Sequence, residues 1–521
     1  MGEVDINSLD DLRAAERLIG RMLRRVRLDS ALVGLRKLGD RPFIGRYPPI
    51  RLAPFIVAGA AMFALRYCPP RPFRKTFRPL PDEELIPFLR LVSAYLLADP
   101  LTFDETIREE YREANPAFTF LRFVASQFPY DVGYFGQYAR SLILYEELPP
   151  KLAGRPGVPR FDLPAAFEEL NGVPVLDFLK AGYMAWAAAG SGNQLAFSRT
   201  YFDRARAQGM VLPSDGEMLR VLDQLSTTQE RFVAEHERLK NADRRFAMYD
   251  FNPLVSYPVV RPFASERAPR AEEDALVVPL PDLLLSRLSV GVYYQMFNRH
   301  KEEFTRYFGH LFGEYVGMVL RNSVPPGALV SEEDIRKTYP EKRGKAPDWA
   351  VVDGTMAVLV ECKATRFTRR ALTTGDEVAV NEGLKQVLKG LGQLHEFAEA
   401  CRARRPGLER FHGCTEFKPV LSTPEPLYLV NSHFFREHID GLLAARGVTD
   451  LPWLVLPIDE LEQLQPHLKV GMDFGATVDR LSERGATFNH VLEGLVERTN
   501  LAYKDSFLYA RDERLFGALG I

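Results

Sequence analysis

Cysteine is scarce: Cys68, Cys362, Cys401 and Cys414 are the four in 521 residues, and no CxxC pair is among them. So thin a supply excludes a disulfide framework and points to a reducing, cytoplasmic setting. Cys401, His412 and Cys414 are the grouping that most invites zinc, but their spacing is looser than that of paired zinc ligands. Long apolar runs are missing too. The most apolar stretch, residues 53–65, falls short of the roughly 20 residues that cross a bilayer, so no membrane partner is expected. The opening MGEVDINSLDDLRAAERL is polar and acidic, with no secretory signal visible. Charge of one sign is not in surplus either. The net charge of -2 does not announce a polyanion binder, although a basic groove can sit inside a neutral total. Finally, no GxxxxGK[ST], HExxH or GxSxG pattern occurs, and the nine histidines show no paired ligand spacing.

What is present is length and alternation. A chain of 521 residues exceeds what one hydrophobic core usually supports, so two domains or more are expected. Residues 1–250 read as helical. Ser8 with Asp11, and Ser214 with Glu217, resemble capping boxes, the second opening a long helix to about Asp243. Apolar spacing predicts further helices near 53–66, 83–98, 118–128, 132–146, 175–189 and 196–207. From about residue 250 the texture changes. Leu254–Arg261 and Ala275–Leu280 look like short strands, followed by helices over 281–297 and 302–321. A hairpin is predicted next: Trp349–Val352, an Asp353-Gly354 turn, then Met356–Ala364. A helix over 378–402 and strands at Leu427–Asn431 and Trp453–Pro457 complete the pattern. The expectation is a helical domain at 1–250 and an α/β domain with a mixed central sheet at 251–521.

The segment KAPDWAVVDGTMAVLVECKATRFTRR carries the chemistry. Side chains alternate across a strand, so Glu361 and Lys363 share one face and Cys362 points to the other. The hairpin can bring Asp348 beside Glu361. Two carboxylates of this kind suit Mg²⁺, and Lys363 would orient a water or neutralise charge on a phosphate. Pro-Asp occurs three times, at Asp82, Asp282 and Asp348, but only the last is suitably spaced from a Glu-x-Lys and lies on a predicted hairpin.

Pro347-Asp348, twelve intervening residues and Glu361-Cys362-Lys363 resemble the PD-(D/E)XK nuclease superfamily of restriction endonucleases, RecB-like exonucleases and phage-defence effectors. The resemblance implies a restriction-endonuclease-like α/β fold and Mg²⁺, with Mn²⁺ able to substitute, held by Asp348, Glu361 and the Cys362 carbonyl. The family often carries a glutamate on its first core helix. Glu314, which shares a helical face with Tyr307, Leu311 and Met318, is the candidate; Glu302, Glu303 and Glu332 rank below it. RecB-like members carry Gln-x-x-x-Tyr on the following helix, which Gln393 to Phe397 resembles without the hydroxyl. Gln386, Lys389 and Gln393 project from one face of that helix. Lys345, Arg366, Arg369 and Arg370 could track phosphates without reading sequence.

The functional expectation is a metal-dependent DNA endonuclease of bacterial restriction or phage defence, acting as a homodimer or larger oligomer. An RNase or structure-specific repair nuclease, and a catalytically silent nucleic-acid-binding scaffold, are the alternatives. Arginines at 17, 21, 24, 25 and 27, and the run Arg71, Arg74, Lys75 and Arg78, read as solvated faces or as nucleic-acid contacts.

Overall fold

A computed structural model describes residues 6–40, 53–69, 80–112, 115–130, 136–190, 199–262, 275–340, 342, 344–449 and 451–519. The chain is mostly helical, with a five-stranded mixed sheet in its C-terminal half. Helix Leu9–Leu23 starts as its sequence dictates: the Ser8 side chain accepts from the Asp11 amide, and the Asp11 carboxylate accepts from Asn7 N at 3.2 Å. It packs with helices Leu28–Asp40, Pro54–Tyr67 and Asp82–Leu97 through Leu12, Ile19, Leu23, Phe63 and Phe88. The expected helix over 132–146 is Gln137–Leu142 followed by a π-helical turn, Ile143–Glu147; residues 131–135 lie outside the described residues, as do 196–198 and the run 71–78.

The Ser214 capping box forms, but the long helix expected after it does not. It stops at Leu225, and β1 (Ser226–Thr227) pairs in parallel with β2 (Val259–Val260) before Thr228 caps a new helix, Gln229–Leu239. Local helical spacing could not register this pairing, because its partner is 33 residues away. The expected strand at Leu254–Arg261 shrinks to β2, with a 3₁₀ turn at Pro253–Val255.

The main sheet runs β3 (Leu329–Ser331), β4 (Trp349–Asp353), β5 (Met356–Cys362), β6 (Glu416–Thr423) and β7 (Leu454–Pro457), in that spatial order. β3, β4 and β5 are antiparallel neighbours, whereas β5, β6 and β7 are parallel. The hairpin closes one residue later than expected: Asp353 pairs with Met356, and Gly354, at φ 56°, opens the turn. Tyr428–Asn431 is a 3₁₀ turn, not a strand; the strand is β6, where Pro419 breaks the expected pattern. Pro419 is tolerated because β7 begins to pair only at Val420, leaving its missing N–H without a ladder partner to serve.

Helices cover both faces of the sheet. Val290–Arg321 and Ile458–Lys469 bury one, with Val351, Val358, Val360, Val420 and Leu456 in the shared core. Val290–Arg321 is interrupted at Lys301 (φ 49°, ψ −124°), between the two helices expected here, and the first of these is broken earlier, at Ser289, into Asp282–Leu288 and the start of Val290–Arg321. Gly317 lets it lie on the sheet, since a Cβ there would fall 2.0 Å from the Trp349 ring. Helix Glu377–Arg402 covers the opposite face against Leu359, Phe417 and Leu421. Apolar packing runs across residue 250. Phe178, Leu179 and Met184 share a core with the sheet, and Phe118 and Leu121 pack with Val380 and Leu384. Among the described residues, no helix is long and apolar enough to cross a membrane.

Candidate functional site

The antiparallel register of β4 and β5 pairs Trp349 with Val360. One step further along, Asp348 stands opposite Glu361, on the face covered by helix Glu377–Arg402. Asp348 Oδ2 accepts from the Cys362 backbone N–H at 2.6 Å, which fixes the carboxylate against the end of β5. Lys363 N donates to Ser422 O at 2.9 Å, so the parallel ladder continues one residue past β5 and orients the lysine. The Lys363 Nζ then reaches Glu361 Oε1 at 2.5 Å. Cys362 turns the other way, against the core beneath helix Val290–Arg321.

Glu361 is 4% exposed, and burial, reinforced by the neighbouring Asp348, pushes its pKa up to about 8 against the pull of Lys363. Burial also raises Asp348, opposed by the Cys362 amide and by Lys363. Two carboxylates this close resist ionising together until a cation neutralises them. Asp348 Oδ1 and Glu361 Oε2 accept no hydrogen bond from the described residues, so each carboxylate keeps one oxygen to offer. Hard oxygen donors of this kind suit Mg²⁺. Among the described residues, no group of three or more His, Cys, Asp or Glu side chains is placed to hold a metal. A cation here would therefore rest on two carboxylates, completed by backbone carbonyl and water; Cys401, His412 and Cys414 offer no alternative centre.

A third acid lies in the same row. Ser331 pairs with Trp349, which puts Glu332 opposite Asp348, and Glu332 N donates to Asp348 O at 2.8 Å. The Glu332 carboxylate bonds Arg336 at 3.1 Å, while its charge raises both Asp348 and Glu361. β3, only three residues long, carries too short a pattern for the sequence to reveal this register.

Glu314 is not brought to this face. It lies on helix Val290–Arg321, which covers the opposite side, and its oxygens bind Arg155 and Arg321 at 3.0 Å each. Its apolar neighbours suggested a buried carboxylate needing a partner; the partners are arginines, one of them from residue 155.

Helix Glu377–Arg402 comes closest at Gly390, where a Cβ would meet Leu421 Cδ1 at 2.5 Å, Lys363 Cε at 3.3 Å and Glu361 Cγ at 3.5 Å. Gln393 lies one turn on, half-buried, with Oε1 shielded from solvent and bonded to no described residue. Gln386 and Lys389 are exposed on the same side. Phe397 is buried instead, edge-on to Phe411 at 5.3 Å, in a position where a hydroxyl would be costly.

The basic candidates divide. Lys345 is exposed. Arg370 is exposed and paired with Asp376 at 3.0 Å, and Arg369 donates to the Leu239 carbonyl. Arg366 is corrected to a structural role: its side chain, 12% exposed, pairs with Glu425 and stacks 3.5 Å from the Tyr293 ring centroid.

No family model, curated protein or solved structure matches the chain.

Proposed function

We propose that the chain is a magnesium-dependent nuclease that hydrolyses phosphodiester bonds of DNA as an endonuclease, with Mn²⁺ able to replace Mg²⁺. The observation that carries this reading is the opposition of Asp348 and Glu361 across β4 and β5, with Lys363 bonded to Glu361. The order of helix, three antiparallel strands, helix and parallel strand supports the finer view that the C-terminal half is a restriction-endonuclease-like domain of the PD-(D/E)XK superfamily.

Asp348 and Glu361 would hold the ion, whose bound charge polarises a scissile phosphate. Lys363 then exchanges its carboxylate partner for substrate: its ammonium neutralises charge growing on a phosphate oxygen and orients the attacking water. Gln393, one turn beyond Gly390, has an unused acceptor and would position that water or a nucleotide. Cleavage of both strands of a duplex needs one such site per strand, so the working form is a homodimer or larger assembly. The place in bacterial restriction or phage defence rests on an analogy of architecture, a nuclease centre joined to a large helical region without an ATPase motif.

The test is cleavage of linear and circular duplex DNA, single-stranded DNA and RNA with Mg²⁺, Mn²⁺ or EDTA, comparing wild type with Lys363→Ala. Metal-dependent cutting of DNA, lost in the variant, is expected. Cutting of RNA alone would move the substrate. Equal rates in the variant would sink the site. If neither protein cuts, Mg²⁺-dependent thermal stabilisation lost in Asp348→Ala would keep the centre, and its absence would mark a silent fold.

A further inference from the structure

Charge is distributed very unevenly along this chain. Residues 1–80 hold sixteen Lys and Arg against seven Asp and Glu, a balance of +9 in a protein whose total is -2. Such asymmetry is the electrostatic footprint of a polyanion partner. Helix Leu9–Leu23 and its C-terminal end display part of it. Arg17, Arg21, Arg24 and Arg25 recur at helical spacing on the solvent side and are all exposed. None of the four has an acidic partner among the described residues. Among the other described arginines of the segment, Arg13 pairs with Asp10, Arg27 with Asp29 and Arg66 with Glu16, while Arg36 is buried on the Ala189 carbonyl. At about 1.5 Å rise per residue, the four guanidinium groups are strung over roughly 12 Å of helix.

We propose that this arginine face binds the phosphate backbone of nucleic acid without reading its sequence, as a docking surface separate from the Asp348–Glu361 centre. It does not depend on the nuclease reading, since binding needs no cleavage. An anionic membrane fits less well. Leu12, Ile19 and Leu23, the apolar side of the same helix, are at most 1% exposed, packed into the protein core and so not free to enter a lipid surface. Arginine also suits phosphate better than lysine would, because its planar fork donates two parallel hydrogen bonds.

The experiment is fluorescence anisotropy of a labelled 30-base-pair DNA duplex with the full chain in EDTA, so that no cleavage intervenes. Wild type is compared with R17Q/R21Q/R24Q/R25Q and with the milder R17Q/R21Q, titrating salt from 50 to 200 mM. Each lost phosphate contact lowers the slope of log K against log salt by about 0.9. The quadruple variant should therefore lose a slope of about 3 to 4, and bind at least tenfold more weakly at 50 mM. The double variant should lose about half that slope, and it serves if the quadruple variant does not fold. Two duplexes of unrelated sequence should respond alike. Unchanged affinity and slope in the folded variants would overturn the proposal. So would binding to phosphatidylserine vesicles with none to DNA. Binding is read in EDTA without cleavage, so failure of the arginine face and failure of the catalytic reading give different results.

Discussion

Replacing Gly390 by alanine sets two effects of known size against each other. Within helix Glu377–Arg402 an alanine gains about 1 kcal/mol of helix propensity over glycine. At this position the new methyl would stand 2.5 Å from Leu421 Cδ1 and 3.3 Å from Lys363 Cε. Leu421 is fully buried, so either the helix or the Leu421 side chain on β6 must shift by several tenths of an ångström or more, with Lys363 giving way beside it. Overpacking of this kind costs about 1–3 kcal/mol, which leaves a net loss of up to about 2 kcal/mol. The site is far less forgiving than the fold. A displacement of about 1 Å in a catalytic constellation costs roughly 100-fold in rate. Gly390→Ala should therefore fold and melt near wild type, yet lose 10- to 100-fold in metal-dependent cleavage. Gly392, two residues on in the same helix, has nothing within 4 Å of a built Cβ. Gly392→Ala should gain about 1 kcal/mol and keep its rate. Urea denaturation and initial cleavage rates of the two variants decide the matter. If Gly390→Ala cuts within threefold of wild type, or Gly392→Ala is equally impaired, the close approach of this helix does not hold the site.

The electrostatics of the acid pair predict a pH signature. Glu361 titrates at about 8 in the folded protein against 4.5 for an ordinary glutamate, so the folded state keeps a proton that the unfolded chain has released. Metal-free stability should accordingly fall as pH rises from about 5 to 8, at up to about 1.4 kcal/mol per unit. Glu361→Gln should flatten the curve and be the more stable protein at pH 8; parallel curves for the two proteins in EDTA would refute the account. Arg140 offers a stability test remote from the site. It binds Glu462 at 2.6 and 2.7 Å, and Tyr315 completes that carboxylate at 2.5 Å, all buried. Arg140→Ala strands the acid and should cost about 3–5 kcal/mol in urea unfolding, whereas Arg140→Met/Glu462→Leu should recover most of the loss; a cost below about 1 kcal/mol for the single change would show the ion pair to be idle.

How far the sequence could be read depended on the range of the interactions that set each element. The β4–β5 hairpin was legible because its determinants are local: alternating apolar residues around Asp353 and Gly354 fix both strands, and the pairing then fixes which side chains oppose each other. Extending Trp349–Val360 by one residue yields Asp348–Glu361 with no further information. The same arithmetic places Glu332 beside Asp348, but only once β3 is known. Three residues with one fully buried side chain give no periodicity to detect, and β3 exists because β4 offers it a ladder. β6 was lost for a related reason. Pro419 and the charges at Glu416 and Lys418 argue against a strand locally, while its two parallel neighbours, more than 30 residues away on each side, supply the hydrogen bonds that override them. Glu314 and Arg366 failed differently. Glu314 reads as a carboxylate that needs a partner and Arg366 as a cation free to track phosphate, but their partners are Arg155 and Arg321 for the one and Glu425 and Tyr293 for the other. A polar side chain on an apolar stripe announces that it has a partner, not that the partner is a substrate; only the tertiary fold distinguishes the two. By that standard the unused acceptor of Gln393 and the arginines 17, 21, 24 and 25, which have no acidic partner among the described residues, are where binding measurements have the most to add.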